Sequence, residues 1–179
     1  MIESPMKLFE GIPMRGDLRI VVCDALTGKQ LRRIEIRNKI TFLAADVITE
    51  LLAQRATDPT ATYDQIWSMR MGLSNTAASR ADQNLGTFHI GKQLYDVNKI
   101  TGVPGELEFT ATLDATEANG VTLQEAALFT RGDAGSPTPS DPPGTAPGKV
   151  RMFCRQVHPA IPKTSAIVLN YSWRLALTA

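Results

Sequence analysis

The 179-residue chain is short of most features that announce a chemistry. It has two cysteines, Cys23 and Cys154, each within an apolar stretch that reads as a strand, where cysteine usually acts as a small buried hydrophobe. A bridge between them would require neighbouring strands, and it is not expected in a chain that folds in reducing cytosol. A surplus of charge is missing too, with 19 Lys and Arg against 18 Asp and Glu. That balance excludes a protein that wraps nucleic acid or clings to acidic membranes by a large positive field. No window approaches eighteen apolar residues, so no bilayer-spanning helix is expected. Met1 to Glu10 carries Glu3, Lys7 and Glu10 without an apolar run, which reads as no secretory signal and as synthesis in the cytoplasm. Aromatic residues make up only 6% of the chain.

Turn-formers are plentiful instead, with 13 Gly and 11 Pro, which favours many short strands over a helical bundle. Residues 1–15 hold no sustained period and read as an extended N-terminal arm, followed by one domain over 16–179. Leu18, Ile20 and Val22 alternate, Leu26 to Lys29 supplies a turn, and Ile34 and Ile36 resume two apart, which predicts a β-hairpin. From Lys39 to Arg55 the period changes. Ile40, Leu43, Ala44, Val47, Ile48, Leu51 and Leu52 stack on one helical face, with Asn38 as N-cap and Asp58-Pro59 as stop.

Period two then returns. Met69 and Met71 alternate with Ser68 and Arg70, predicting a strand with one apolar face, and the stretch from Thr87 to Gly105 is poorly patterned. In Glu106 to Asp114, Leu107, Phe109, Ala111 and Leu113 share one face while Glu and Thr share a wet one. Asn119-Gly120 predicts a hairpin that returns along Val121 to Arg131. Ala166 to Leu177 closes the core with Ile167, Leu169, Tyr171, Trp173 and Leu175 on one face. Between the last two strand regions, nine of the seventeen residues 132–148 are Gly or Pro, which predicts a mobile surface loop inside a hairpin. The fold class expected is mainly β: an antiparallel β-sandwich with one helix near the N-terminus.

Catalytic material is scarce. His89 and His158 lie in different regions, and the four-residue spacing of Cys154 and His158 spans about 13 Å in a strand, too far to share a metal unless His158-Pro159 begins a bend. Gly-x-Ser-x-Gly, phosphate-loop and His-Glu-x-x-His patterns are absent. The one oddity is Glu125, which alternation places with Val121, Leu123, Ala127 and Phe129 on an apolar face. Such a carboxylate is an active-site acid, is turned outward by a β-bulge, or is paired with a buried arginine such as Arg70. A lone carboxylate lacks the second acid–base group that hydrolysis requires. Arg131-Gly132-Asp133 is a common chance tripeptide, and Arg32, Arg33, Arg37 and Lys39 read as a solvated strand edge that resists aggregation. No catalytic, cofactor or metal residue is assigned.

Three stretches together carry a resemblance. IWSMRMGLSNTAASRADQNLG (66–86) after an Asn-led helix, the Thr-rich strand and Leu-Gln-Glu-Ala-Ala-Leu-Phe of 107–129, and the ending FCRQVHPAIPKTSAIVLNYSWRLAL (153–177) resemble, in order and spacing, virion proteins of tailed bacteriophages. The resemblance implies a non-enzymatic structural subunit of the tail apparatus (collar, baseplate or fibre attachment), located in the virion. Its partners would be itself, as a symmetric homo-oligomer, and other tail proteins, with no cofactor, specific nucleic acid or membrane. A second expectation, of another class, is a carbohydrate-binding module that meets cell-surface glycans through Trp67 and Tyr95.

Overall fold

The computed structural model describes residues 14–57, 65–94, 97–99, 105–132, 138–144 and 149–177, without the side chains of 39, 50–57, 97–99 and 177. The described residues form β1 (Met14–Asp24), β2 (Gln30–Ile40), α1 (Phe42–Thr57), β3 (Ile66–Gly72), β4 (Phe88–Gln93), β5 (Val97–Lys99), β6 (Glu106–Leu113), β7 (Thr122–Thr130), β8 (Met152–Pro162) and β9 (Ile167–Leu177). The protein is mainly β, and every strand pairing is antiparallel. One face of the sandwich runs β2-β1-β9-β6-β5 and the other β4-β3-β7-β8. Among the described residues the two join at one corner, where Lys39 and Ile40 at the end of β2 pair with Arg155 and Cys154 of β8. Before that corner, the side of β2 away from β1 has no strand beside it among the described residues.

The period-two pattern decides which residues enter the core. Leu18, Ile20 and Val22 of β1, Phe109, Ala111 and Leu113 of β6, and Leu169, Tyr171, Trp173 and Leu175 of β9 point between the sheets and meet Met69, Met71, Leu123, Leu128 and Phe153 from the second sheet. Full burial of each large apolar side chain contributes about 1.5–3 kcal/mol. Tyr171 and Trp173 are both closed off completely, as expected of the last strand.

Four expectations are corrected. The helix starts at Phe42, and Asn38 is a strand residue paired with Gly16, because the β1–β2 ladder continues and is captured by β8 before the chain can turn helical. Thr41 makes the junction: its hydroxyl donates to the Met152–Phe153 carbonyls at 2.9 Å, which ties the helix start to β8. The Asn119-Gly120 bend does not make a β6–β7 hairpin. It carries the chain across the sandwich, β6 pairing with β9 and β7 with β3 and β8, and Gly120 takes φ 83° while its N–H bonds the Lys163 carbonyl of the β8–β9 bend. The unpatterned stretch after Thr87 holds β4 and β5. Finally, β8 runs through His158-Pro159 without ending, since two extra β8 residues between the Leu123–Ile161 and Glu125–Val157 pairs accommodate the proline.

Residues 1–13 of the expected arm lie outside the described residues, while Met14 and Arg15 already belong to β1. The β7–β8 connection is the predicted Pro/Gly loop, and its described part, 138–144, is anchored. Pro139 packs on Gly91 of β4, and the Gly144 N–H bonds the Val150 carbonyl at 2.8 Å. No helix among the described residues is long and apolar enough to cross a membrane.

Candidate functional site

Glu125 is fully buried, and a register shift explains its position. Leu123 faces the inter-sheet core, but beyond the bulge Ala126 and Leu128 take that direction, so Glu125, Ala127 and Phe129 fall on the outer face of the second sheet. That face is not wet. The connection 73–87 covers it, and Leu85 from that connection forms a second, smaller apolar cluster with Ala127, Phe129, Val150 and Met152.

The carboxylate is held on every side. Its Oε1 accepts the N–H groups of Ser74 at 3.1 Å and Thr87 at 2.8 Å, and Oε2 accepts those of Gly86 at 3.0 Å and Arg155 Nε at 2.8 Å. Arg155 is itself buried and donates onward to Asp82 at 2.7 Å and to the Thr76 carbonyl at 3.0 Å. Asp82 in turn accepts the N–H of Ser79 at 2.8 Å. Burial opposes the charge of Arg155, but the bonds to Asp82 and Glu125 outweigh it and hold the guanidinium above its ordinary pKa. Gly72 makes room for this arrangement, because a Cβ there would collide with Glu125 Oε1 and the Thr87 carbonyl. The partner of Glu125 is therefore Arg155, not Arg70, and bulge and ion pair act together. With all its lone-pair directions engaged, the carboxylate serves as a rivet for the 73–87 connection.

The remaining candidates stay apart. His89 is exposed on β4, while His158 is buried against Tyr171 with ring centroids 6.0 Å apart and its Nδ1 3.0 Å from the Pro159 carbonyl. Burial lowers the His158 pKa and pushes the Cys154 thiol and the Tyr171 phenol well above their ordinary ranges. Both cysteines are free thiols. Among the described residues no three His, Cys, Asp or Glu side chains come close enough to hold a metal ion. Arg131 lies over the Trp67 ring at 4.9 Å, and Tyr95 and Asp133 fall outside the described residues.

Surfaces are more developed than clefts. The outer face of the first sheet carries a charge row of alternating sign across its strands: Arg37 faces Asp17, Asp17 faces Arg174, and Arg174 faces Glu108. A neighbouring row sets Glu35 against Arg19, bonded at 3.0 Å, and Ser172 donates to Glu108. A shallow groove of about 330 Å³ runs along these rows. Asp17, Arg19 and their partners are largely exposed, so solvent screens these pairs and each adds little to stability.

At the end of the same sheet, the β1–β2 turn presents Leu26 at 94% exposure, with Leu31 also exposed beyond it. The tip is stiff. Asp24 Oδ1 accepts from Leu26 N–H, Thr27 N–H and the Thr27 hydroxyl, Gly28 takes φ 69°, and the Ala25 N–H bonds the Ala166 carbonyl at 2.8 Å. The cluster around Arg155 and the knob at Leu26 escape sequence reasoning for different reasons. An arginine set between Cys154 and Gln156 in an apolar strand was a signal for burial, whereas nothing in Leu-Thr-Gly-Lys tells a packed leucine from an exposed one. No protein-family model, curated protein or solved structure matches this chain.

Proposed function

We propose that the chain is a non-enzymatic structural subunit of a tailed-phage virion, a β-domain of the tail apparatus at a collar, baseplate or fibre attachment, that works by meeting copies of itself and other tail proteins. The stretches 66–86, 107–129 and 153–177 suggest the class of particle. The observation that carries the mode of action is the β1–β2 tip. A leucine exposed to 94% on a turn tied by Asp24 is an apolar anchor displayed without a flexible stem. Such a group loses little entropy on docking, as suits a contact anchor. Near-zero net charge and rows of alternating sign on the adjoining face fit close side-by-side packing of like subunits.

The test is self-association of the full chain by light scattering and sedimentation at micromolar concentration. A defined oligomer that dissociates in Leu26→Asp, with an unchanged melting temperature, supports the reading. A monomer throughout the range, or an oligomer indifferent to Leu26, removes it. Copurification of the chain with tailed particles tests the virion assignment. The glycan-binding alternative draws less support, because Arg131 occupies one face of the Trp67 ring, the kind of face on which a sugar would stack.

A further inference from the structure

Arg70 of β3 is 2% exposed, and among the described residues no carboxylate is hydrogen-bonded to it. Its guanidinium packs on the Phe129 ring at 4.3 Å with Phe88 at 5.9 Å, and Nη1 donates to the backbone carbonyl of Asp141 at 2.6 Å. The Asp141 carboxylate points elsewhere, accepting the N–H and hydroxyl of Thr138, each at 2.7 Å. Nε and Nη2 are left, both buried and without a hydrogen-bond partner among the described residues. These two N–H groups form the side-on edge of the guanidinium, the fork that grips two oxygens of one carboxylate or phosphate. Two residues back on the same face of β3, the hydroxyl of Ser68 is also buried and without a partner. The strand neighbours of Arg70 are Gly91 on β4, on which Pro139 of the 138–144 segment packs, and Ala127 on β7, so neither strand places a large side chain directly opposite it. Burial draws the Arg70 pKa down to about 10, with Asp141 offsetting part of the effect, so the group remains a cation at neutral pH. A buried cation and three idle donors on one face are costly to maintain unless something is bound there.

We propose that Arg70 and Ser68 form a binding site for one small oxyanion, held side-on by Nε and Nη2 with the Ser68 hydroxyl as third donor, beneath the 138–144 segment. This site does not depend on the assembly reading above. Its fork suits a planar carboxylate or a tetrahedral phosphate or sulfate.

The experiment titrates the full chain with inorganic phosphate, sulfate and acetate, each against chloride at fixed ionic strength, following melting temperature and calorimetric binding. The expected result is a saturable response to at least one of the three oxyanions, weakened at least tenfold in Arg70→Lys, which keeps the charge and loses the fork, and severalfold in Ser68→Ala. A response to acetate alone identifies a carboxylate site, and one to phosphate or sulfate a tetrahedral one. Should Arg70→Lys fail to fold, Ser68→Ala decides by itself. No saturable response in the wild-type chain overturns the site, as does an affinity unchanged in Ser68→Ala or in folded Arg70→Lys.

Discussion

Glu125 and His158 are both ionisable and both buried, and their surroundings treat them in opposite ways. Glu125 collects three backbone N–H groups and a guanidinium, so truncating it strands several donors at once. Removing one member of a buried pair costs about 3–5 kcal/mol, because the other charge is left uncompensated. Glu125→Ala should lower the unfolding free energy obtained by urea titration by that amount, and Asp82→Asn, at the half-buried end of the chain of bonds, should cost clearly less; equal losses would show that Arg155 leans on Asp82 instead. His158 has no such company. Desolvation depresses its folded pKa below 6.5, the Pro159 carbonyl and Glu125 pull it back in part, and Arg32 adds to the depression. The unfolded chain thus takes up the proton first as pH falls through 6.5, so stability drops from there down to the folded pKa, by at most about 1.4 kcal/mol per pH unit. The carboxylates with lowered pKa, Asp24, Glu35, Glu117 and Asp141, act only nearer pH 4 and below and do not blur this window. Urea midpoints at pH 7.5, 6.5 and 5.5 should decline in the wild type and flatten in His158→Gln.

Strands were legible in proportion to the contrast between their two faces. β6 and β9 alternate cleanly because one side is core and the other solvent, and their inward residues could be named from sequence. β3 reads as half-polar, yet Ser68 and Arg70 are as buried as Met69 and Met71, since two loops roof the outer face. Alternation reports which side a residue takes but not what covers that side. It is equally silent about neighbours, which is why Asn119-Gly120 suggested a hairpin where the chain crosses between sheets. β4, with the sequence FHIGKQ, carries too little apolar contrast to register at all. At this scale Gly72 is the informative position. It lies opposite Glu125 in the β3–β7 ladder, and an added methyl would meet the carboxylate on one side and the Thr87 carbonyl on the other. Neither can retreat without giving up hydrogen bonds to the 73–87 connection, so Gly72→Ala should cost about 1–3 kcal/mol by overpacking. Amide exchange should speed up over 73–87 before it does in β9; uniform acceleration would mean that the connection is not riveted at Glu125.

Topology ties the two ends of the described chain together. β1 is the first strand and β9 the last, and they pair over eleven residues in the middle of the first sheet, so that sheet cannot be completed until the C-terminal strand arrives. Closing contacts of such separation is slow, and sandwiches ruled by them fold in milliseconds to seconds. Among the described residues the only bond ladder between the sheets is the short β2–β8 corner, so their cohesion rests mainly on the shared core, in which Tyr171 and Trp173 of β9 are the largest apolar pieces. The two ends therefore have unequal weight. A chain ending before Ile167 loses a central strand and those two rings, and should give no cooperative melt and a disordered circular dichroism spectrum. A chain starting at Met14 retains every described strand and should melt within a few degrees of the full chain. Under the assembly reading, the same shortened chain also separates folding from association: a normal melt with a smaller oligomer places residues 1–13 in the subunit contact, whereas a normal melt with the full-length oligomer leaves that contact to the Leu26 tip and the sheet face.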